Sequence, residues 1–542
     1  MIRTSTVALA VVLCTAWVAN AAGPSALIEA VKRHDRAAVN ALLDGGADVN
    51  AAEADGVTAL HVAAEADDLA LIDALLEAGA TVNAKNRFNV TPLELAAQNG
   101  DRAAIERLLA AGADANTTSR EGQTPLMTAA RTGRLDAVAS LLAHGASVDA
   151  AEGWRGQTAL MWAAGEGHVD VVTALVEAGA NVNAQSKSGS TPLLFAVREA
   201  RIDTLRYLLD HGAHANDLAH DGTSALNVAI VNAFYEAASV LLDHGADPNL
   251  PDARASPLHT IAWVRKPGST GDAGVGDLPP AAPRPTGNVT SLELVTKLLA
   301  HGANPNVRVN WPEIRFDTVG GTTRNPPGLV LGRHLLTYNG ATAFYVAAKN
   351  GDAELMRVLV AGGADPSITN RYGITPLMVA AGHDTWEGET PGPFTGVSEA
   401  ERVEAVKAAL ELGNEINAAA HFGDYKMTGD AEYTLLYYPY NIAELLDLGV
   451  GDPRWSGSTA LHGAILANQP SIVEYLVDHG AKVDAKTDLG WTPLMMARGV
   501  FLANTGREFP AAEKILVKAL AERGARVAAP SKPRADVAQR AN

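Results

Sequence analysis

The chain has 542 residues, 47% of them hydrophobic, and a formal net charge of −18 from 61 acidic and 43 basic residues. A chain this acidic is repelled by nucleic-acid phosphates and by anionic membrane surfaces. We therefore expect neither as a main partner. The single cysteine, Cys14, lies in the first 21 residues. Residues 22–542 contain no cysteine, so they can form no disulfide bond, thiol nucleophile or cysteine metal site.

The first residues have the pattern of a secretory signal peptide. Arg3 precedes an apolar run over residues 7–18, and residues 19–21 (Ala-Asn-Ala) have the small side chains of a cleavage site. The apolar run is short for a membrane helix, and no second span is expected. We therefore expect residues 1–21 to be removed during export.

From residue 25 onward, the sequence repeats one segment at a nearly constant interval. The clearest copy, TPLELAAQNG, begins at Thr91. Related segments begin at Ser25, Thr58, Thr124, Thr158, Thr191, Ser224, Ser256, Thr342, Thr375, Thr459 and Thr492. From Thr58 to Ser256 the spacings are 33, 33, 34, 33, 33 and 32 residues, and the whole chain contains twelve copies.

Each copy has the residues of two short helices. In residues 79–112, Gly79 supplies the left-handed conformation that ends one helix. Thr91 has the hydroxyl of an N-cap, and Pro92 fits the first helical position, where no N–H is needed. After Gly100, apolar residues spaced i, i+3, i+4 predict a second, amphipathic helix. One such unit cannot bury its own apolar face, so the copies must stack.

The period of about 33 residues with the pattern T-P-L-H-x-A-A resembles the ankyrin-repeat family. The resemblance implies an all-α repeat solenoid of about twelve stacked repeats, each a helix-turn-helix with a β-hairpin finger. Members of this family bind other proteins through the finger tips and through the concave face of the first, or inner, helix of each pair. We therefore expect a monomeric, non-catalytic interaction scaffold whose partner is another protein, with no cofactor.

The resemblance extends to location. An exported, cysteine-free repeat protein resembles the periplasmic ankyrin proteins of bacteria. The periplasm is the expected compartment, and secretion is the alternative. A secreted effector directed at a host cell is an alternative function.

Eight histidines fit structural positions of such repeats. His61, His259 and His462 occupy the histidine of T-P-L-H, which in the family connects neighbouring repeats by hydrogen bonds. Five others precede Gly-Ala at helix ends, where a partly cationic ring suits the helix dipole: His144, His211, His244, His301 and His479. None of the eight is expected to take part in chemistry.

Five insertions interrupt the period: residues 265–290, 307–340, 382–399, 420–455 and 499–510. We therefore divide the chain into a signal peptide (1–21), a regular stack (22–264), a stack with insertions (265–525) and a disordered tail (526–542). Two insertions, 307–340 and 420–455, come between a Gly-Ala turn and the next capped helix, so they should lengthen fingers. Alternatively, residues 420–455 contain a degenerate thirteenth repeat.

Ten of the 28 aromatic residues lie in these two long insertions. Tyr and Trp are favoured anchors of protein interfaces, so we predict partner contacts here. The alternative is that the aromatic rings pack each insertion onto its own repeat. The chosen candidates are Trp311, Tyr425, Tyr437 and Tyr438.

Basic and aromatic residues also recur at the predicted finger tips. We call this set the tip row: Arg87, Phe88, Arg120, Trp154, Arg155, Lys187, Arg371 and Tyr372. The ends of inner helices add Arg131, Arg198 and Lys349. Arginines and aromatic rings on an acidic protein provide the contrast that an interface uses, so we predict partner binding along this row. The alternative is that the tips are merely exposed and polar.

Catalytic sequence motifs are absent: there is no phosphate-binding glycine loop, no H-E-x-x-H and no G-x-S-x-G. The closest set of chemical groups is His383, Asp384, Glu387 and Glu389 in one insertion, with His421 and Asp424 in the next. Such oxygen and nitrogen donors could hold a divalent ion, although the spacing matches no known site. A metal- or ligand-binding receptor, or a hydrolase-like site between the insertions, is therefore the weaker alternative.

Overall fold

The computed structural model describes residues 25–250, 255–265, 285–309, 340–383, 398–421, 456–488, 490–499 and 508–524. Within these ranges it contains 24 α-helices and three isolated β-bridges, with no extended sheet. The chain separates into two compact units, Met1–Ala225 and Leu226–Asn542. Among the described helices, none has the length and apolar character needed to cross a membrane.

The first unit contains six helix pairs. They are α1 Ser25–Lys32, α2 Arg36–Asp44, α3 Ala59–Glu65, α4 Leu69–Glu77, α5 Pro92–Asn99, α6 Arg102–Ala110, α7 Pro125–Arg131, α8 Leu135–Ala143, α9 Ala159–Glu166, α10 Val169–Glu177, α11 Pro192–Arg198 and α12 Ile202–Asp210. Odd-numbered helices are the inner helices and even-numbered helices the outer ones. Each inner helix packs on the next inner helix, and each outer helix on the next outer helix.

The second unit begins within α13 and has the same arrangement. Its helices are α13 Ala225–Val231, α14 Tyr235–Asp243, α15 Pro257–Arg265, α16 Ser291–Ala300, α17 Ala343–Lys349, α18 Ala353–Ala361, α19 Pro376–Ala381, α20 Glu399–Glu411, α21 Ala460–Leu466, α22 Pro470–Asp478, α23 Pro493–Ala497 and α24 Pro510–Glu522. The twelve helix pairs in the described ranges confirm the predicted all-α repeat fold.

Local chemistry sets the helix ends as the sequence predicts. Thr91 Oγ1 accepts a hydrogen bond from the Glu94 amide at 3.4 Å, and Pro92 begins α5. Gly100 ends α5 in the left-handed conformation, with φ of 82°. Asp101 then caps α6 by accepting from the Ala103 amide at 2.7 Å. These caps satisfy backbone donors that a short helix would leave open.

Stacking buries the small and aliphatic faces that a single repeat would expose. In the third repeat, Leu93 and Leu108 are 1% and 0% exposed, and Ala96 and Ala97 are fully buried. The alanines let neighbouring inner helices approach closely. Burial of apolar surface between neighbours is therefore the main stabilising term.

Asparagine side chains add hydrogen bonds between successive repeats. Asn116 Nδ2 donates to the Gly145 carbonyl at 3.0 Å, and its Oδ1 accepts from the Ser147 amide at 2.7 Å. The same double contact is made by Asn50, Asn83, Asn183, Asn249, Asn306 and Asn417. Each asparagine thus holds the turn after one helix pair against the turn after the next.

The T-P-L-H histidines connect repeats, as expected for two of the three. His61 Nε2 lies 3.0 Å from the Val90 carbonyl oxygen, and His259 Nε2 lies 3.1 Å from that of Ala341. The Nδ1 of His462 contacts Thr459, and its ring faces the backbone of Trp491 and Ala485 in the next repeat, although Nε2 makes no hydrogen bond of ordinary geometry. Burial lowers the pKa of His259 and His462 to about 4, so these rings are neutral structural groups.

The two long insertions interrupt fingers and leave the stack continuous. Val309 and Ala341 pair through a backbone hydrogen bond of 2.9 Å, and so do Ala420 and Ser458. The helix pair α19–α20 packs directly on α21–α22, so no thirteenth repeat separates them within the described residues. Residues 310–339 and 422–455 lie outside the described residues, so their assignment as lengthened fingers stays a prediction.

Candidate protein-binding surface

The finger tips of the first unit are joined by a ladder of backbone hydrogen bonds. The Arg120 amide donates to the Phe88 carbonyl at 2.8 Å, and the Lys187 amide donates to the Arg155 carbonyl at the same distance. Between these two steps, the Gly153 amide donates to the preceding tip at 3.1 Å. The tip row of the first unit therefore lies on one continuous edge.

Two aromatic rings on this edge are unusually open to solvent. Trp154 is 73% exposed and Phe88 is 45% exposed. The guanidinium of a neighbouring arginine stacks on each ring. Arg155 Cζ lies 4.4 Å from the Trp154 ring centroid, and Arg87 Cζ lies 4.6 Å from the Phe88 ring centroid. Such cation–π pairs hold the rings and the charges together at the surface.

A buried carboxylate shapes the tip that carries Trp154. Glu152 accepts hydrogen bonds from the amides of Trp154 at 2.6 Å, Arg155 at 2.7 Å and Gln157 at 3.0 Å. Burial alone would raise the pKa of Glu152, but these backbone donors outweigh it and hold the pKa below its ordinary value. The ionised carboxylate fixes the backbone of the tip before any partner arrives.

The inner helices beside this tip contribute an aromatic pair that the sequence analysis missed. Trp162 on α9 and Phe195 on α11 occupy the same position of successive repeats, and both are half-buried. Arg131 Cζ on α7 lies 5.5 Å from the Trp162 ring centroid. Comparing this one position across repeats would have revealed the pair, because the three preceding repeats carry Val62, Leu95 and Thr128.

The tip and the inner helices enclose a groove of about 770 Å³, which we call the fifth-repeat groove. Its aromatic and basic lining residues are Trp154, Arg155, Trp162, Lys187, Phe195, Arg198, Arg201 and His220. Four of the predicted contact residues, Trp154, Arg155, Lys187 and Arg198, thus meet in one concavity. Arg131 reaches its edge through Trp162.

In the second unit, Tyr372 differs from the prediction. It is only 3% exposed, and its carbonyl accepts from the His421 amide at 2.8 Å. The side chain therefore presents almost no surface to a partner. Arg371 remains exposed, with Cζ 6.0 Å from the Tyr372 ring centroid.

The insertion candidates Trp311, Tyr425, Tyr437 and Tyr438 lie outside the described residues, and so does Asp384. Partner binding by them stays a prediction.

His383 differs from its predicted role in the weaker metal alternative. It is fully buried, its Nδ1 lies 3.2 Å from the Met378 carbonyl oxygen, and its Nε2 lies 2.9 Å from Ser458 Oγ. Both ring nitrogens are thus used in packing one repeat on the next, and neither is free to bind a metal. The part of the chain that the structure describes contains no group of three metal-ligating side chains.

A second feature that sequence reasoning missed is the buried carboxyl group of Glu94. Thr128 Oγ1 donates to Glu94 Oε1 at 3.2 Å, whereas Oε2 is buried with no hydrogen-bond partner among the described residues. Burial raises the pKa of Glu94 to about 7. Glu94 occupies the histidine position of the pattern T-P-L-H. The only signal in the sequence is therefore that a glutamate stands where the pattern has a histidine.

Comparison with known proteins agrees with this geometry. A family model described as ankyrin repeats in three copies matches residues 6–86, 93–186, 179–252 and 431–500, and a model of ankyrin repeats in many copies matches residues 333–380. The matches cover more than half of the chain, which therefore belongs to the ankyrin-repeat family. Ankyrin repeats imply binding to other proteins.

One curated relative is named "Putative E3 ubiquitin-protein ligase XBAT31" and comes from Arabidopsis thaliana. It is 28% identical over 170 residues, which cover 29% of this chain and 33% of that protein. The chain thus matches about a third of the relative's length. The ligase activity in the name is that of the relative.

Proposed function

We propose that this chain is a non-catalytic scaffold that binds another protein in an exported compartment, through the finger tips and inner-helix face of its first unit. The observation that carries the proposal is the exposed, arginine-stacked Trp154 beside the fifth-repeat groove. Exposure of a tryptophan to water, 73% for Trp154, is unfavourable in the free protein. Burial of the ring against a partner is favourable.

The energetics of this tip suit a binding anchor. Covering an aromatic ring of this kind contributes roughly 2–4 kcal/mol to association. Little ordering is needed, because Glu152 already fixes the backbone of the tip and Arg155 already stacks on the ring. Preorganisation reduces the entropy lost on binding.

Export is part of the proposal, and its support is the signal-peptide pattern of residues 1–21. We expect a mature chain that begins at Ala22 in the periplasmic fraction of a bacterium. The intact mass of the protein recovered from that fraction tests this expectation, and retention of Met1 would contradict it. Recovery from the medium alone would instead favour the secreted alternatives.

Affinity capture with a charge-reversed bait tests the binding proposal. The bait combines Arg120→Glu with Arg155→Glu, two exposed residues that form no ion pair within the described ranges. We expect at least tenfold less partner recovered than with the unchanged chain, since two favourable charges become unfavourable. The melting temperature should stay nearly constant, because neither side chain is buried.

The matched control is Arg206→Glu with Lys514→Glu, which makes the same charge change on exposed outer helices. This control should capture the partner as well as the unchanged chain does. Equal capture by the tip variant and the control would remove the tip row from the proposal.

A further inference from the structure

A single glycine opens the fifth-repeat groove. Gly165 lies near the end of α9, at the position that holds Arg131 in the preceding repeat and Arg198 in the following one. A Cβ at Gly165 would meet the Phe195 ring at 3.7 Å, an ordinary contact distance. The space is therefore present because a side chain is missing, and a Cβ can be introduced there at ordinary contact distance.

The cations that line the groove form no ion pair in the described ranges, although Lys187 lies close enough to Glu152 to help lower the pKa of that carboxyl group. Two of the basic side chains, Lys187 and Arg201, bind only backbone carbonyls, those of Gly153 and Gly165. The other two basic lining residues are Arg155 and Arg198. None of the four forms an ion pair in the described ranges. Two acidic residues, Glu166 and Glu199, also line the groove, so four basic groups face two acidic ones. A chain of net charge −18 thus concentrates an excess of cations at a concave site.

We infer that the fifth-repeat groove binds an acidic, extended segment of the partner protein, in which carboxylates alternate with apolar side chains. The carboxylates pair with Arg155 and Arg198, and an apolar side chain packs on Trp162 and Phe195. Arginine favours carboxylates because its planar guanidinium can donate two parallel hydrogen bonds. This inference rests on the proposed protein-binding function and specifies its ligand.

A nucleic acid fits the same charges less well. Glu166 and Glu199 interrupt the basic lining, so a continuous phosphate backbone would meet like charges inside the groove. The net charge of −18 would also repel a polyanion at long range. A peptide can place neutral residues opposite the two glutamates, which a phosphate backbone cannot do.

Fluorescence anisotropy with a labelled peptide tests the inference directly on the full chain. The probe is a short peptide of Glu-Glu-Leu triplets, and a peptide of Gln-Gln-Leu triplets is its neutral control. We expect the acidic peptide to bind at least tenfold more tightly at low ionic strength, and added salt to weaken it. Equal affinity for the two peptides would overturn the inference.

Two variants locate the binding site. Arg198→Glu replaces a cation with an anion. Gly165→Gln places a neutral side chain in the groove, and glutamine has a better helix propensity than glycine. Each variant should lower the affinity for the acidic peptide about tenfold or more. Arg206→Glu, the same charge change on the outer helix of the same repeat, should leave its affinity unchanged.

The outcomes separate this inference from the proposed function. If both variants bind the peptide as Arg206→Glu does, the groove assignment is wrong, even where partner capture still depends on Arg120 and Arg155. A short DNA duplex that competes more tightly than the acidic peptide would overturn the choice of ligand. If Gly165→Gln fails to fold, Arg198→Glu still decides the question, with its circular dichroism spectrum as the check on folding.

Discussion

At the scale of single residues, Glu94 places a titratable group in the core between two repeats. Its carboxyl group is buried where the flanking repeats carry His61 and Met127. One oxygen has only the Thr128 hydroxyl as partner, and the other has none within the described residues. Burial therefore favours the protonated form and raises the pKa to about 7.

This pKa gives stability a defined dependence on pH. The folded pKa of Glu94 lies above its ordinary value of 4.5, so its contribution to stability is complete below about pH 4.5 and is lost as pH rises towards 7. Glu94→Gln should abolish this loss, because the amide stays neutral. We expect the variant to gain up to about 3 kcal/mol of unfolding free energy at pH 8 relative to the unchanged chain.

Urea denaturation at several pH values between 5 and 8 measures the effect. Glu65→Gln, on an exposed position of another inner helix, is the matched control and should leave the pH dependence as it was. A Glu94→Gln curve parallel to that of the unchanged chain would show that the carboxyl group is solvated in the folded protein.

At the scale of the helix pair, the asparagine turns connect neighbouring repeats. Asn116→Ala removes both bonds, to the Gly145 carbonyl and from the Ser147 amide. We expect a loss of about 1–2 kcal/mol of unfolding free energy, since each hydrogen bond contributes modestly after competition with water. Chemical denaturation measures it, and Asn40→Ala, at an exposed helical position of α2, should cost nothing. Equal stabilities of the two variants would mean that the turn bonds add nothing beyond the packing.

Of all parts of the fold, the helix pairs are predicted best from the sequence. Thr91, Pro92 and Gly100 mark the ends of α5 because capping is local chemistry, and the period carries the same ends to the other repeats. The period does not report which side chains face each other across repeats. For that reason the Arg131–Trp162 contact and the burial of Tyr372 were not predicted.

At the scale of the whole molecule, fold and binding surface have separate origins. The repeats supply a regular framework, and its aliphatic core would serve any ankyrin protein equally well. Departures from the pattern, such as Trp154 at a tip and Gly165 on an inner helix, provide the individual surface. The assignment of function therefore depends on residues that contribute little to the fold.

Site-specific photo-crosslinking in living cells tests that assignment most directly. A photoreactive phenylalanine analogue replaces Trp154 in one variant and Leu135 in another; Leu135 is an outer-helix residue that is also exposed, at 40%. Binding through the tips predicts a discrete adduct with another protein at position 154 and none at position 135. The same adducts at both positions, or none at position 154, would contradict the account.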